Sequence, residues 1–234
     1  MKIQGSAIIP VLIMALLLQS KAVCQVRIGI VAGPALNFLD SRKFNSPTNV
    51  SSSRYGYRAG ISVQYDFRNR ISILSGLDVI QKNYSLHRPD SIGTQFSFRN
   101  TFIQAPLLLQ WKVLDAKRLS LYVSGGGFVS YWKSGRVNAQ VPNTFDSYVD
   151  DKQSVHVNWE QVNTTYEFTT ADIRYEYGLV AGLTLGYEMT SRIIISTSLQ
   201  FYRSLANLRI DQSPARFNNT GALGLGLTYN IKDK

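Results

Sequence analysis

The chain has 234 residues, with 25 Lys and Arg against 15 Asp and Glu, 44% hydrophobic residues and one cysteine. A lone cysteine excludes a disulfide framework, and with only two histidines beside it there is no usual metal-ligand set. The length suits one β domain, and the surplus of positive charge favours anionic partners.

Residues 1–24, MKIQGSAIIPVLIMALLLQSKAVC, hold Lys2, an uncharged run of 12 residues from Ala7 to Leu18, and then small residues. A spanning helix needs about 20 apolar residues, so this run reads as the core of a signal peptide. Cleavage is expected after Cys24, with Ala22 at the −3 position, which leaves a cysteine-free mature domain, 25–234. A lipidation motif is poorly matched, because Lys21 stands where Leu is expected and Val23 where a small residue is expected. Loss of Lys2 and Lys21 leaves 23 basic residues against 15 acidic, a charge near +8.

Residues 26–36 (VRIGIVAGPAL) place Ile28, Ile30 and Ala32 on one face. Residues 55–67 (YGYRAGISVQYDF) alternate without a break: Tyr55, Tyr57, Ala59, Ile61, Val63, Tyr65 and Phe67 against Gly56, Arg58, Gly60, Ser62, Gln64 and Asp66. A period of two marks a strand with one apolar and one polar face, and this one is about twice the usual length of 5–6 residues. The pattern returns at 71–86, with Ile71, Ile73, Leu77 and Val79 opposite Asp78 and Lys82. It returns at 100–113, with Leu107, Leu109 and Trp111 opposite Gln104, Gln110 and Lys112, and at 119–132. Residues 173–188 set Tyr175, Leu183 and Tyr187 against Glu176, Thr184 and Glu188, and 192–204 and 219–231 complete eight predicted strands.

The links between them alternate. Residues 68–70, 114–118 and 189–191 are short, whereas 40–54, 87–99, 133–172 and 205–218 are long. Transmembrane β-barrels have even strand numbers, short periplasmic turns and long extracellular loops, and their tilted strands need about 9–11 residues. The expectation is an all-β, eight-stranded antiparallel up-and-down transmembrane barrel with lipid outside and the polar face in the lumen. Aromatics at strand ends fit interface girdles: Tyr55, Tyr57, Tyr131, Tyr175 and Phe201 by the long loops, Tyr65, Phe67, Trp111, Tyr187 and Tyr229 by the turns. A soluble barrel with its apolar face turned inward is the alternative, but it has no need of strands this long.

VRIGIVAG in the first strand, SGLDVIQKNY in the third, FIQAPLLLQW in the fourth, VSGGGFVSY in the fifth and YGLVAGLTLGYE in the sixth together carry a resemblance. Over the mature chain the sequence resembles the small outer-membrane β-barrels of Bacteroidota, the porin-family or PorT-like proteins. The resemblance implies insertion by the outer-membrane assembly machinery, although the last strand ends Tyr229-Asn230-Ile231 in place of a terminal aromatic.

An eight-stranded interior is just wide enough for side chains to fill. The expected lumen network is Arg58, Asp66, Asp78, Lys82, Lys112, Glu176, Glu188 and Arg192, both signs neutralising each other because unpaired buried charge costs several kcal/mol. Such a filled lumen is a plug, with a narrow, porin-like pore as the alternative. A hydrolase is a weaker alternative: Asp150, Ser154 and His156 lie close in sequence, but in a polar loop where such a mix arises by chance. No catalytic, cofactor or metal residues are assigned, and no enzyme is expected. The Ser124–Gly127 cluster sits mid-strand with no helix or Lys after it, so it reads as close packing and not as a phosphate cradle.

The loop 133–172 is too long and too rich in large residues to be a free linker. Phe145, Tyr148, Trp159 and Tyr166 are its expected binding residues, and alternation at 155–158 and 164–169 predicts that neighbouring strands continue into it as a hairpin. Capping the barrel is its blander role. The expected function is surface binding, or a structural or assembly role in the envelope, with both termini periplasmic. Expected partners are outer-membrane lipid and lipopolysaccharide, the assembly machinery and a surface or envelope protein; scattered basic residues argue against nucleic acid.

Overall fold

The structure, a computed structural model, describes residues 25–40, 50–68, 70–87, 94–150, 155–207 and 217–231. The expected signal segment and its cleavage site lie outside these residues, as does Ser154.

The alternating segments form ten strands among the described residues: β1 (Gln25–Asp40), β2 (Val50–Arg68), β3 (Ile71–Gln81), β4 (Tyr84–His87), β5 (Gln95–Ala116), β6 (Leu119–Val149), β7 (Val155–Thr165), β8 (Tyr175–Glu188), β9 (Ile193–Ser204) and β10 (Phe217–Ile231). β3 and β4 act as one wall strand interrupted at Lys82-Asn83, since both pair with β5 in the same register. β7 pairs with β6 alone. The ring therefore has eight members, all antiparallel, and closes where β10 meets β1 from Val26↔Ile231 to Asp40↔Phe217. Closure pairs the backbone of the wall and removes the free edges that an open sheet would expose.

The short connections gather where β1 begins and β10 ends, here the turn end. The link between β5 and β6 is tighter than the expected 114–118: pairing continues to Ala116↔Leu119, leaving Lys117-Arg118 as the turn, with Lys117 at φ 48°. The long connections share the opposite, loop end.

Side chains divide as the alternation predicts. Leu225, Leu107, Leu109, Trp111, Ile61 and Leu179 are exposed on the outside, whereas Arg58, Asp78, Gln104, Ser124, Glu176 and Gln200 are buried within. An apolar exterior around a polar interior is the arrangement of a barrel surrounded by hydrocarbon. The expected girdle residues Tyr55, Tyr175 and Phe201 stand exposed near the loop end, and Trp111, Tyr187 and Tyr229 near the turn end. Within the glycine cluster of β6, Gly126 is a close approach: a Cβ there would lie 2.1 Å from the Leu107 carbonyl oxygen.

β6 is the longest strand, with 31 residues. Leu119–Tyr131 pairs with β8 inside the ring, and beyond it the strand runs on between β5 and β7. One extra residue, Lys133, is inserted where the register shifts between Thr101↔Ser134 and Phe102↔Trp132. Such a bulge flips alternation. Below it the even positions Ser124, Phe128, Ser130 and Trp132 are buried; above it Gly135 is buried while Ser134 and Arg136 are exposed.

Candidate functional site

Two regions could carry function: the lumen and the part of loop 133–172 that leaves the ring. The lumen is filled in layers. Nearest the turn end, Arg27 Nη2 lies 2.8 Å from Asp66 Oδ2, and Arg27 Nη1 donates to Tyr122 Oη at 3.1 Å. Above it, Arg58 Nε and Nη2 both lie 2.9 Å from Asp78 Oδ2, while Arg58 Nη1 donates to Gln200 Oε1 at 2.6 Å. Tyr202 Oη donates to the same Gln200 oxygen. Higher still, Lys82 Nζ meets Glu176 Oε2 at 2.6 Å, and Ser130 Oγ donates to that oxygen at 3.0 Å. The Lys82 ammonium also stands 4.9 Å from the ring centres of both Phe102 and Phe128, so the pair is roofed by aromatic faces.

The roof continues upward. Trp132 stacks on Phe102 with centroids 5.8 Å apart and on Tyr166 at 5.2 Å, and meets Phe168 edge-on at 5.0 Å. Arg174 lies 4.2 Å over Phe168 and donates through Nη2 to the Trp132 carbonyl at 3.1 Å. A cavity of about 60 Å3 remains in the lumen on the turn side, lined by Arg27, Arg58, Gln64, Gln110 and Gln200 among others.

Of the expected lumen network, the structure brings together Arg58 with Asp78 and Lys82 with Glu176. Asp66 is paired too, but with Arg27, which the expected set omits although alternation in VRIGIVAG puts Arg27 opposite Ile28. Lys112 is half-buried and pairs with Asp115 at 3.2 Å at the turn end, so it serves the rim and not the central network. Glu188 is half-buried near the same rim and joins no ion pair among the described residues. Arg192 corrects the expectation outright. It is exposed, donating through Nη1 to Tyr229 Oη at 3.2 Å, because it lies in the turn ahead of β9 where alternation no longer dictates direction.

Loop 133–172 divides in two. Its last part is the lid just described, with Tyr166 donating to Asp172 Oδ1 at 2.9 Å and Thr169 N to Asp172 Oδ2 at 2.8 Å. Tyr166 is therefore not a residue of the binding surface: Gly135 opposite has no side chain, and a Cβ there would come within 3.0 Å of Tyr166 Cβ, so the ring tucks inward. The rest is the predicted hairpin, β6 paired with β7 from Arg136↔Thr165 to Val149↔Val155. Phe145 is 97% exposed, Tyr148 60% and Trp159 40%, and Tyr148 stacks on His156 with centroids 4.8 Å apart. His156 Nε2 lies 3.1 Å from Asp150 Oδ2, an exposed contact. No group of three or more His, Cys, Asp or Glu that could hold a metal occurs among the described residues.

The family described as outer membrane protein beta-barrel domain is matched over residues 19–209. None of the curated proteins matches the chain. Among solved structures, the chain is similar to the outer membrane protein OprG from Pseudomonas aeruginosa, at 10% identity and a TM-score of 0.49, over 88% of this chain and 96% of that one. It is similar to Ail, the attachment invasion locus protein of Yersinia pestis, at 13% identity and a TM-score of 0.40, over 86% and 97%. It is also similar to the outer membrane protease OmpT from Escherichia coli, at 8% identity and a TM-score of 0.44, over 89% and 96%.

Proposed function

This chain belongs to the outer membrane protein β-barrel domain family, and from that premise we propose that it is a closed barrel whose work is recognition at the cell surface. The observation that carries the reading is the contrast between its two ends of chemistry. The lumen is occupied by paired charges under an aromatic lid, whereas the β6–β7 hairpin stands clear of the ring with Phe145, Tyr148 and Trp159 exposed. Exposed aromatics on a two-stranded support are among the residue types that dominate protein–protein contacts. The loop end faces the outside of the cell, both termini lie in the periplasm, and residues 1–24 are removed on export. The partner is a surface or envelope protein, and the closer kinship is with the PorT-like barrels of Bacteroidota.

The test places a photo-reactive amino acid at Phe145 and, as a control, at lipid-facing Leu107 in cells. Protein adducts from position 145 and none from 107 are expected. Adducts from neither position, together with stable open channels from the purified protein in planar bilayers, would replace recognition with transport.

A further inference from the structure

Beyond the loop-end girdle, β5, β6 and β7 set three rows of cross-strand neighbours side by side: Arg99, Arg136 and Thr165; Ser97, Asn138 and Asn163; Gln95, Gln140 and Gln161. The β5 members share the face of Leu107, Leu109 and Trp111, because β5 holds one register with β3 and β4 throughout this stretch. That face is the outside of the barrel. The rows line an open trough of about 300 Å3, continued by a second part of about 210 Å3 that Arg54 also lines. No carboxylate lines either part among the described residues.

Arg99 and Arg136 stand directly opposite each other, a placement that like charges make unfavourable. The side chains of these two and of Arg54 have no ion-pair or hydrogen-bond partner among the described residues. Two opposed guanidinium groups with no carboxylate among the described lining residues form the geometry that an anion such as phosphate bridges with charge-assisted hydrogen bonds. The amide and hydroxyl rows beside them offer both donors and acceptors, as sugar hydroxyls require.

Position selects the source of the anion. Arg54 adjoins the exposed Tyr55, and Arg99 lies four residues past Ile103 of the apolar wall. At about 3.4 Å per residue and a tilt of about 45°, Arg99 stands on the order of 10 Å beyond that wall residue, at the height of lipid headgroups. We propose that this trough binds the phosphorylated sugar headgroup of a glycolipid in the surrounding leaflet, with a phosphate seated between Arg99 and Arg136. This rests on the loop end facing outward, as in the reading above, but not on the hairpin or its partner.

The test uses the purified full-length protein in nanodiscs, free of any protein partner, so its outcome is independent of the photo-crosslinking result. Binding is measured for lipopolysaccharide, for the same lipopolysaccharide after enzymatic dephosphorylation, and for a soluble sulfated oligosaccharide. The double variant Arg99→Gln/Arg136→Gln is expected to lose at least about tenfold in affinity for intact lipopolysaccharide, with the deficit shrinking at high salt as exposed charges are screened. Dephosphorylated lipopolysaccharide should bind wild type and double variant equally. Arg118→Gln, at the turn end, should match wild type, and an equal loss there would reduce the effect to unspecific charge and overturn the site. Preference for the soluble oligosaccharide over lipopolysaccharide would overturn the lipid assignment. Without lipopolysaccharide the double variant should melt at or above the wild-type Tm, since a repulsion is removed. A large fall in Tm would mean that the arginines hold the wall itself, and the proposal would fail.

Discussion

Lys82 Nζ and Glu176 Oε2 meet at 2.6 Å although the residues are 94 apart in sequence, one in the break between β3 and β4 and the other on β8, which is not their neighbour in the ring. The pair bridges the lumen, with both side chains fully buried. Two charges so placed are tolerable only together.

Lys82→Met should therefore destabilise the barrel by about 3–5 kcal/mol, the usual cost of breaking a buried pair by removing one partner. Lys82→Met combined with Glu176→Leu should recover most of that loss. Urea unfolding in lipid vesicles, followed by the shift between folded and unfolded bands on gels, measures both. Additive losses in the double variant would show that the two side chains do not depend on each other.

Sidedness gives the second prediction. Leu183 is exposed on the outer face, flanked across the strands by Val123 and Leu199, while Thr184 is half-buried and turned inward. Leu183→Arg should cost about 2–4 kcal/mol near the membrane midplane. In single-cysteine variants, a lipid-soluble reagent should label position 183 and spare 184. Equal labelling would contradict the alternation.

The third concerns the lid. Trp132 touches Phe102, Tyr166 and Phe168, so Trp132→Ala should destabilise by about 3–5 kcal/mol, the usual cost of truncating a buried Trp. It should not open a porin-sized channel, because the Lys82–Glu176 and Arg58–Asp78 layers remain beneath it. Planar-bilayer recording of the variant decides this, and large stable conductance would place the barrier in the lid alone.

The fourth concerns the hairpin. Deleting residues 142–159 and closing Val141 to Glu160 with a tight turn spares the β5–β6 pairing, which ends at Gln95↔Gln140, and spares the lid. The variant should fold and keep its heat-modifiable migration, and in excess it should fail to compete with the full-length protein for the adduct formed at position 145. His156→Ala, whose side chain makes only an exposed contact with Asp150 and a stack on Tyr148, should change stability by less than about 0.5 kcal/mol.

The wall was legible in the sequence because alternation is a local signal. Each of the eight expected segments falls in the ring, and Arg58, Asp78, Lys82 and Glu176 point inward as their positions in the period require. Which charges meet was not legible, since Arg27 and Asp66 lie on different strands and only the register brings them together. Tyr166 misled for a related reason. In the linear pattern it is one more aromatic of a surface loop, and its inward turn depends on the empty place left by Gly135 one strand away. Arg192 failed at a boundary, where one residue separates strand from turn.

The single inserted residue at Lys133 makes β6 a strand with two reading frames. Below it even-numbered residues face the lumen, and above it they face the surroundings. A deletion of that one residue would close the bulge into a regular ladder, with Trp132 still inward, Ser134 outward, Gly135 inward and Arg136 outward. Exposed loops of such barrels diversify by insertion and deletion as well as by substitution. Here a change of length by one at position 133 is taken up by the bulge, so the strand above it keeps the chemical face it shows to the environment.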